Sequence, residues 1–223
     1  MTIDLPVTPP QGVRPGWEGQ FHVFSWYNFV LNVPSPLYIV TTLKRNGLHN
    51  AQLTAWGMLL GSGLEPKFML QLMNNSDTLS LIERTGEFVV NFPSFELKER
   101  LLRCTVHYAE GIDELSASGL TPEESSLVSA PRVKECYGHF ECTLGWSRPL
   151  ETKNPMNSLV VGNIVGASID EEYLLKDSKN SLKKRGIPYH VGEFYNHLER
   201  RCSEGSESGF CLLDTDNIKF AKE

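Results

Sequence analysis

The sequence predicts a mainly β protein, an antiparallel barrel with short helices at its ends. Three observations lead there. Strand-like apolar runs outnumber helical stretches, the helices are short, and consecutive strands early in the chain are joined by tight turns, so they should pair antiparallel. This favours a barrel over a doubly wound parallel sheet.

Residues 37–91 carry most of that signal. Residues 37–42 are rich in β-branched and aromatic side chains, and Lys44-Arg45-Asn46-Gly47 supplies a turn in which Asn-Gly tolerates positive φ. Residues 49–56 bring the chain back. Gly57 and Gly61-Ser62-Gly63 bracket Met58-Leu59-Leu60, read as a connection, and residues 67–72 form a third strand. Asn74-Asn75-Ser76-Asp77 is a polar turn opening a helix over 78–85, with Leu79 and Ile82 on one face and Gly86 as its stop. Residues 87–91 are the fourth strand.

Residues 1–20 hold four prolines and three glycines and read as an extended arm. The arm continues to residue 32 through Phe21, Phe24, Trp26, Tyr27 and Phe29, an apolar stretch that packs on a barrel end or on a second subunit. The barrel domain is placed at 33–202 and a polar tail at 203–223. Beyond the fourth strand, Ser94 is read as N-cap of a helix over 95–104, with Leu97, Leu101 and Cys104 on one face. Asp113 caps a short helix over 114–118 that Gly119 closes. In a strand over 133–146, Phe140, Cys142, Leu144 and Trp146 alternate against His139, Glu141, Thr143 and Gly145. Residues 147–157 read as a loop, 159–169 as a strand, 173–185 as polar and helical, and 187–195 as a compact aromatic stretch.

At 223 residues, 40% apolar and 22% charged, the chain has material for a substantial core in one domain. A net charge of -6, with Lys183-Lys184-Arg185 as the densest basic run, argues against a nucleic-acid binder. No apolar run approaches the ~20 residues of a membrane span. The N-terminus has neither a basic start nor an apolar signal segment. Five irregularly spaced cysteines suit reduced thiols and a cytoplasmic location.

Common catalytic motifs are absent: there is no G-x-G-x-x-G, P-loop, H-E-x-x-H, G-x-S-x-G or C-x-x-C. Cys104 and His107 are near enough in sequence for a thiolate–imidazole pair, although a core-facing Cys beside a loop His is the simpler reading. His190 and His197, seven apart, have no third ligand, so no metal is expected. What remains is polar. Asn50, Gln52 and Thr54 alternate on one strand face, and residues 74–78 open a helix whose free N–H groups and positive dipole end suit an anion. The same residue types are also how helices ordinarily begin, and the Asp77 carboxylate competes for those N–H groups.

Taken together, several motifs resemble the flavin reductase-like, FMN-binding split-barrel family. They are Ile39-Val40-Thr41-Thr42, Asn46-Gly47-x-x-Asn50-Ala51 and Ala55-Trp56, then Asp77-Thr78 with Thr85-Gly86-Glu87-Phe88-Val89-Val90-Asn91. Gly111-x-Asp113, Gly119-Leu120-Thr121, Ala130-Pro131, Glu141-Cys142, Gly162-x-x-Val165 and Tyr189-x-x-Gly192-x-x-Tyr195 continue the series in order. The resemblance implies an antiparallel Greek-key split barrel that dimerises, with FMN (or FAD) in a groove at the subunit interface and hydride supplied by NAD(P)H. The acceptor would be free flavin, ferric iron or a partner monooxygenase; a non-catalytic FMN carrier or sensor and a ligand-free interaction module are the alternatives on this fold. Carried over, Asn75, Ser76 and Thr78 hold the phosphate; Asn50, Thr54, Ala55, Trp56 and Gly57 line the ribityl chain and ring; Gln71 lies close by. Tyr195 or His190 approaches the ring edge. Ser76 stands where a basic residue is common in the family and Ala55 where Ser often occurs, so neutral donors and backbone amides must do more of the binding. No side-chain acid or base is obligatory, because the reactive centre is flavin N5.

Overall fold

The computed structural model describes residues 4–9, 25–31, 33–174, 184–191, 195–196, 201–202 and 210–212. His197, Gly192, Lys179, Lys183 and most of the arm and tail lie outside these.

Seven strands form one antiparallel sheet in the order β3-β2-β6-β9-β10-β5-β4. The strands are β2 (Tyr38–Leu43), β3 (His49–Thr54), β4 (Gly57–Gly61), β5 (Pro66–Met73), β6 (Glu87–Phe92), β9 (Gly138–Pro149) and β10 (Asn157–Ile169); the two-residue strands β1 (Ser35–Pro36), β7 (Pro122–Glu123) and β8 (Arg132–Val133) lie outside this sheet. β3 and β4, successive in the chain, are the two ends of the sheet. The split in the barrel therefore falls at Ala55 and Trp56, the residues joining them.

Turn and cap chemistry sets the register. Gly47 takes φ +81° in the β2–β3 turn, and Tyr38 pairs with Thr54 while Leu43 pairs with His49. Helix α2 (Asp77–Thr85; α1 is the short Tyr27–Leu31) is capped by Ser76 and ends at Gly86 in the left-handed region, φ 73°. Helix α4 (Glu114–Ser118) starts at Asp113, whose carboxylate accepts the Ser116 amide, and ends at Gly119, φ 75°. Between them a 3₁₀ turn, Phe95–Leu97, runs into α3 (Lys98–Arg103); Ser94 makes no side-chain cap bond, contrary to the sequence expectation. Residues 57–61 are a strand rather than a connection, pairing with β5 from Gly57↔Leu70 to Gly61↔Pro66. β9 and β10 extend into the expected loop, leaving 150–156 between them.

The barrel interior is filled by Val40, Phe68, Leu70, Phe88, Val90 and Val160, with Ile82 of α2 among them. A second apolar layer, including Ile39, Ala51, Leu101, Leu115 and Val133, packs α3 and α4 against the outside of β2 and β3. β2 is thus buried on both faces, which suits a run of apolar and β-branched residues that includes the buried Thr41 and Thr42.

The polar face of β9 is also buried at His139 and Glu141. Glu141 accepts the Ser126 and Leu127 amides (3.0 and 2.6 Å), and the 120s segment covers it. Its neighbour His139 shares a network centred on Asn91. Asn91 Nδ2 donates to Ile39 O (3.0 Å) and Thr41 Oγ1 (3.1 Å), while Asn91 Oδ1 accepts the Val133 amide (2.8 Å) and lies 2.9 Å from His139 Nδ1. Because Oδ1 can only accept, Nδ1 carries the proton in neutral His139.

Burial, with the Arg132 charge second, pushes the His139 pKa down to about 4 against the pull of Glu141. An unfolded His titrates near 6.5, so between these values the unfolded chain binds more protons. This contribution is complete above pH 6.5 and is lost as pH falls toward 4, on the order of 3 kcal/mol in all. Urea midpoints of wild type and His139→Gln measured across pH 4–7 test this: the variant should show the shallower slope over that window.

Candidate functional site

Strand β3, the 74–78 turn and the loop after α3 enclose a cleft of about 920 Å³. Asn50, Gln52, Trp56, Asn75, Ser76 and Thr78 line it. The turn is fixed to β10: Asn74 Nδ2 donates to Pro155 O (2.8 Å), and Ser158 Oγ donates to Asn74 Oδ1 (2.6 Å). Ser76 Oγ accepts the Leu79 amide at 3.2 Å. Its acceptor role is thereby taken up by the helix cap, and its O–H has no acceptor among the described residues. Asn75 stands exposed at the rim.

Thr78 is only 1% exposed. Its hydroxyl accepts Asn50 Nδ2 at 2.8 Å, tying β3 to the start of α2 and holding the Asn50 side chain at the cleft wall. Thr54 and Ala55 are buried beneath. Thr54 Oγ1 accepts the Trp56 amide (3.3 Å), and Trp56 O accepts the Gln71 amide (2.8 Å), so the backbone at the split is held from both sides. A Cβ on Gly57 would come 2.8 Å from the Phe68 ring. Gly57 is therefore required for packing, whatever else it does.

Trp56 also borders a second cavity of about 400 Å³ that takes in Gln71, His190 and, from the arm, Ser25 and Asn28. The rings of Trp56 and His190 are 5.5 Å apart, and burial lowers the His190 pKa, keeping it neutral at pH 7. Within the arm, Trp26 Nε1 donates to Pro6 O and Val7 O (3.1 and 3.2 Å). Tyr195 pairs through its backbone with Cys202; its side chain lies outside the described residues.

Sequence reasoning missed two parts of the wall. Glu114, read only as a helix residue, lines the cleft with its charge neutralised: Lys44 Nζ lies 2.8 Å from Oε1, and Oε2 accepts the Ala51 amide (2.9 Å). Their side chains are 4% and 6% exposed. The loop carrying His107 and Tyr108 forms the opposite wall. His107 Nδ1 lies 3.5 Å from Asp77 Oδ2, so Asp77 faces the loop while Ser76 caps the helix.

The thiolate–imidazole pair does not form. Burial pushes the Cys104 thiol up to about 11, and its Sγ–H points to Arg100 O (3.6 Å).

A flavin reductase like domain matches residues 30–183. An uncharacterized protein of Aquifex aeolicus is 34% identical over 125 residues, spanning 53% of this chain and 63% of that protein. One from Methanothermobacter thermautotrophicus is 25% identical over 155 residues, spanning 68% and 72%. Among solved structures, nitrilotriacetate monooxygenase component B from Bacillus cereus superposes with a TM-score of 0.78 over 100% of both chains at 18% identity. Pseudomonas fluorescens 2-nitrobenzoate 2-nitroreductase gives 0.66 over 89% of each at 23%. Flavoredoxin of Desulfovibrio vulgaris gives 0.65 over 85% of this chain and 90% of that one at 21%. The split barrel is the fold these structures share, and the chain belongs to the flavin reductase-like family.

Proposed function

We propose that the cleft binds FMN, with FAD as the alternative, and that the protein passes reducing equivalents from NAD(P)H to free flavin, ferric iron or a partner monooxygenase. One observation carries this reading: the neutral turn at Asn75 and Ser76, the amide face of β3 and the ring of Trp56 converge on a single 920 Å³ cleft. That volume lies within the range of cofactor sites. The donor set suits a phosphate, since the Ser76 O–H and the Asn75 amide are uncommitted and the positive end of α2 adjoins them. Bound flavin would supply reversible two-electron chemistry.

The chain's own groups then have separate tasks. Asn75 and Ser76 grip the phosphate. Asn50, positioned by Thr78, and Gln52 meet the ribityl hydroxyls. The backbone from Thr54 to Gly57, held by the Thr54 hydroxyl and the Gln71 amide, edges the ring, which Trp56 flanks. The names of the Bacillus cereus and Pseudomonas fluorescens proteins support, respectively, a monooxygenase partner and a small-molecule acceptor.

The test is an absorption spectrum of the purified protein, followed by NADH and NADPH oxidation with added FMN or FAD. Flavin-dependent oxidation supports the reading. A yellow protein that oxidises neither nucleotide is a carrier. A colourless protein with no thermal shift on adding flavin is an interaction module.

We also propose a homodimer that walls the groove. Met58, Met69, Val161 and Trp146 stand at one register across β4, β5, β10 and β9, with Met58 49% and Trp146 41% exposed. An apolar row of this kind across a sheet suits a twofold contact. Trp146→Glu should halve the mass seen by light scattering and leave the circular dichroism unchanged; a wild-type monomer would end the proposal.

A further inference from the structure

A third cavity, of about 420 Å³, lies at the far ends of β6, β9 and β10 and shares no residue with the cleft. Its wall is aromatic. Phe92 and Phe140 meet edge to face at 4.8 Å, and Tyr137 stands 6.2 Å from Phe92. Ala167 and Ile169 of β10 complete the apolar side.

Arg185 enters this surface from the segment before β11 (Pro188–His190), which two backbone bonds hold in place: Phe95 N–H to Gly186 O (2.7 Å) and Leu37 N–H to Pro188 O (3.0 Å). The guanidinium is poorly satisfied. Its Nη2 donates to Tyr173 O at 3.4 Å, its Nε is buried without a partner, and Cζ lies 5.8 Å from the Tyr137 ring. No carboxylate among the described residues pairs with it. The Tyr137 ring offsets part of the charge's desolvation, but the unspent N–H donors remain a cost that an anion relieves.

We propose that this cavity binds a compact aromatic carboxylate, its ring against Phe92 and Phe140 and its carboxylate on Arg185. The planar guanidinium fork matches a carboxylate bidentately. The half-buried rings of Phe92 and Phe140, with Tyr137 buried beside them, favour a flat ring over an aliphatic chain. The volume, at the low end of small-molecule sites, suits one or two fused rings. A bare inorganic anion would use Arg185 and waste the aromatic wall.

The experiment is calorimetric titration of the full chain with 2-naphthoate, naphthalene-2-carboxamide and inorganic phosphate. The carboxylate should bind about 10- to 100-fold more tightly than the carboxamide, the worth of a charge-assisted pair, and phosphate should not register. Arg185→Met should erase the carboxylate's advantage. Ala167→Trp, which fills the cavity from an exposed position, should abolish binding of both naphthalene compounds. Far-UV circular dichroism of the two variants should match wild type and certify their fold. Equal affinity for acid and amide, unchanged binding in Arg185→Met, no heat with naphthoate at millimolar concentration, or competition between naphthoate and FMN would each overturn the assignment. Apart from the competition with FMN, none of these outcomes depends on whether the cleft binds flavin.

Discussion

Lys44→Met is expected to destabilise the protein by about 3–5 kcal/mol, the usual cost of stranding one member of a buried ion pair. The side-chain stem is kept, so the loss comes from charge and hydrogen bonding rather than from a void. Lys44 Nζ lies 2.8 Å from Glu114 Oε1 and donates to Ile112 O at 2.9 Å, bridging the end of β2, the loop before α4 and α4 itself. Without it, the Glu114 carboxylate keeps the Ala51 amide (2.9 Å) as its remaining hydrogen-bond donor. A domain stable by ~5–15 kcal/mol would lose a third or more of its margin. Urea unfolding followed by circular dichroism should show a lower midpoint at constant slope. Lys44→Met with Glu114→Leu should recover part of the loss, because no charge is then stranded, while the Ala51 amide still lacks its acceptor. A single variant within about 1 kcal/mol of wild type would mean that water reaches the pair.

This pair marks the boundary of what the residues disclose before the fold is known. Turn and cap positions are local chemistry, so Asn46-Gly47, Ser76 to Gly86 and Asp113 to Gly119 could be placed from neighbours alone, and each stands where its sequence pattern puts it. Lys44 and Glu114 each look like solvated residues in a turn and a short helix; their pairing is a consequence of topology. His139 and Glu141 mislead for a related reason. Period-two alternation in β9 separates two faces correctly, but a polar face means solvent only where nothing covers it, and here the 120s segment does. β4 was hidden because Met58-Leu59-Leu60 between glycines has no alternation, and its strand character comes from pairing with β5. In the cleft, Asn50 and Thr78 were singled out separately, whereas the 2.8 Å bond joining them, and the wall supplied by His107 and Tyr108, required the chain to be folded.

Ser76→Asp is the substitution that separates the helix cap from the proposed anion site. Asp caps helices as well as Ser does, so the Leu79 amide, now bonded to Ser76 Oγ at 3.2 Å, keeps an acceptor and α2 should persist. What changes is charge. A carboxylate ~4 Å from a phosphate oxygen, at an effective dielectric near 20, repels it by about 4 kcal/mol. FMN affinity should then fall on the order of 10³-fold. Riboflavin has the same ring and ribityl chain without the phosphate, so its affinity should change by no more than about 3-fold, a shift worth less than 1 kcal/mol. Ser76→Arg should act in the opposite sense, tightening FMN about 10-fold through a charge-assisted contact and leaving riboflavin alone. The comparison is made by fluorescence quenching of each flavin, with far-UV circular dichroism confirming the helix. If Ser76→Asp kept its FMN, the phosphate would have to lie away from this turn. If FMN and riboflavin were lost equally, the substitution would have disturbed the ring and ribityl wall, and the Asn50–Thr78 bond that connects that wall to α2 would be the place to look.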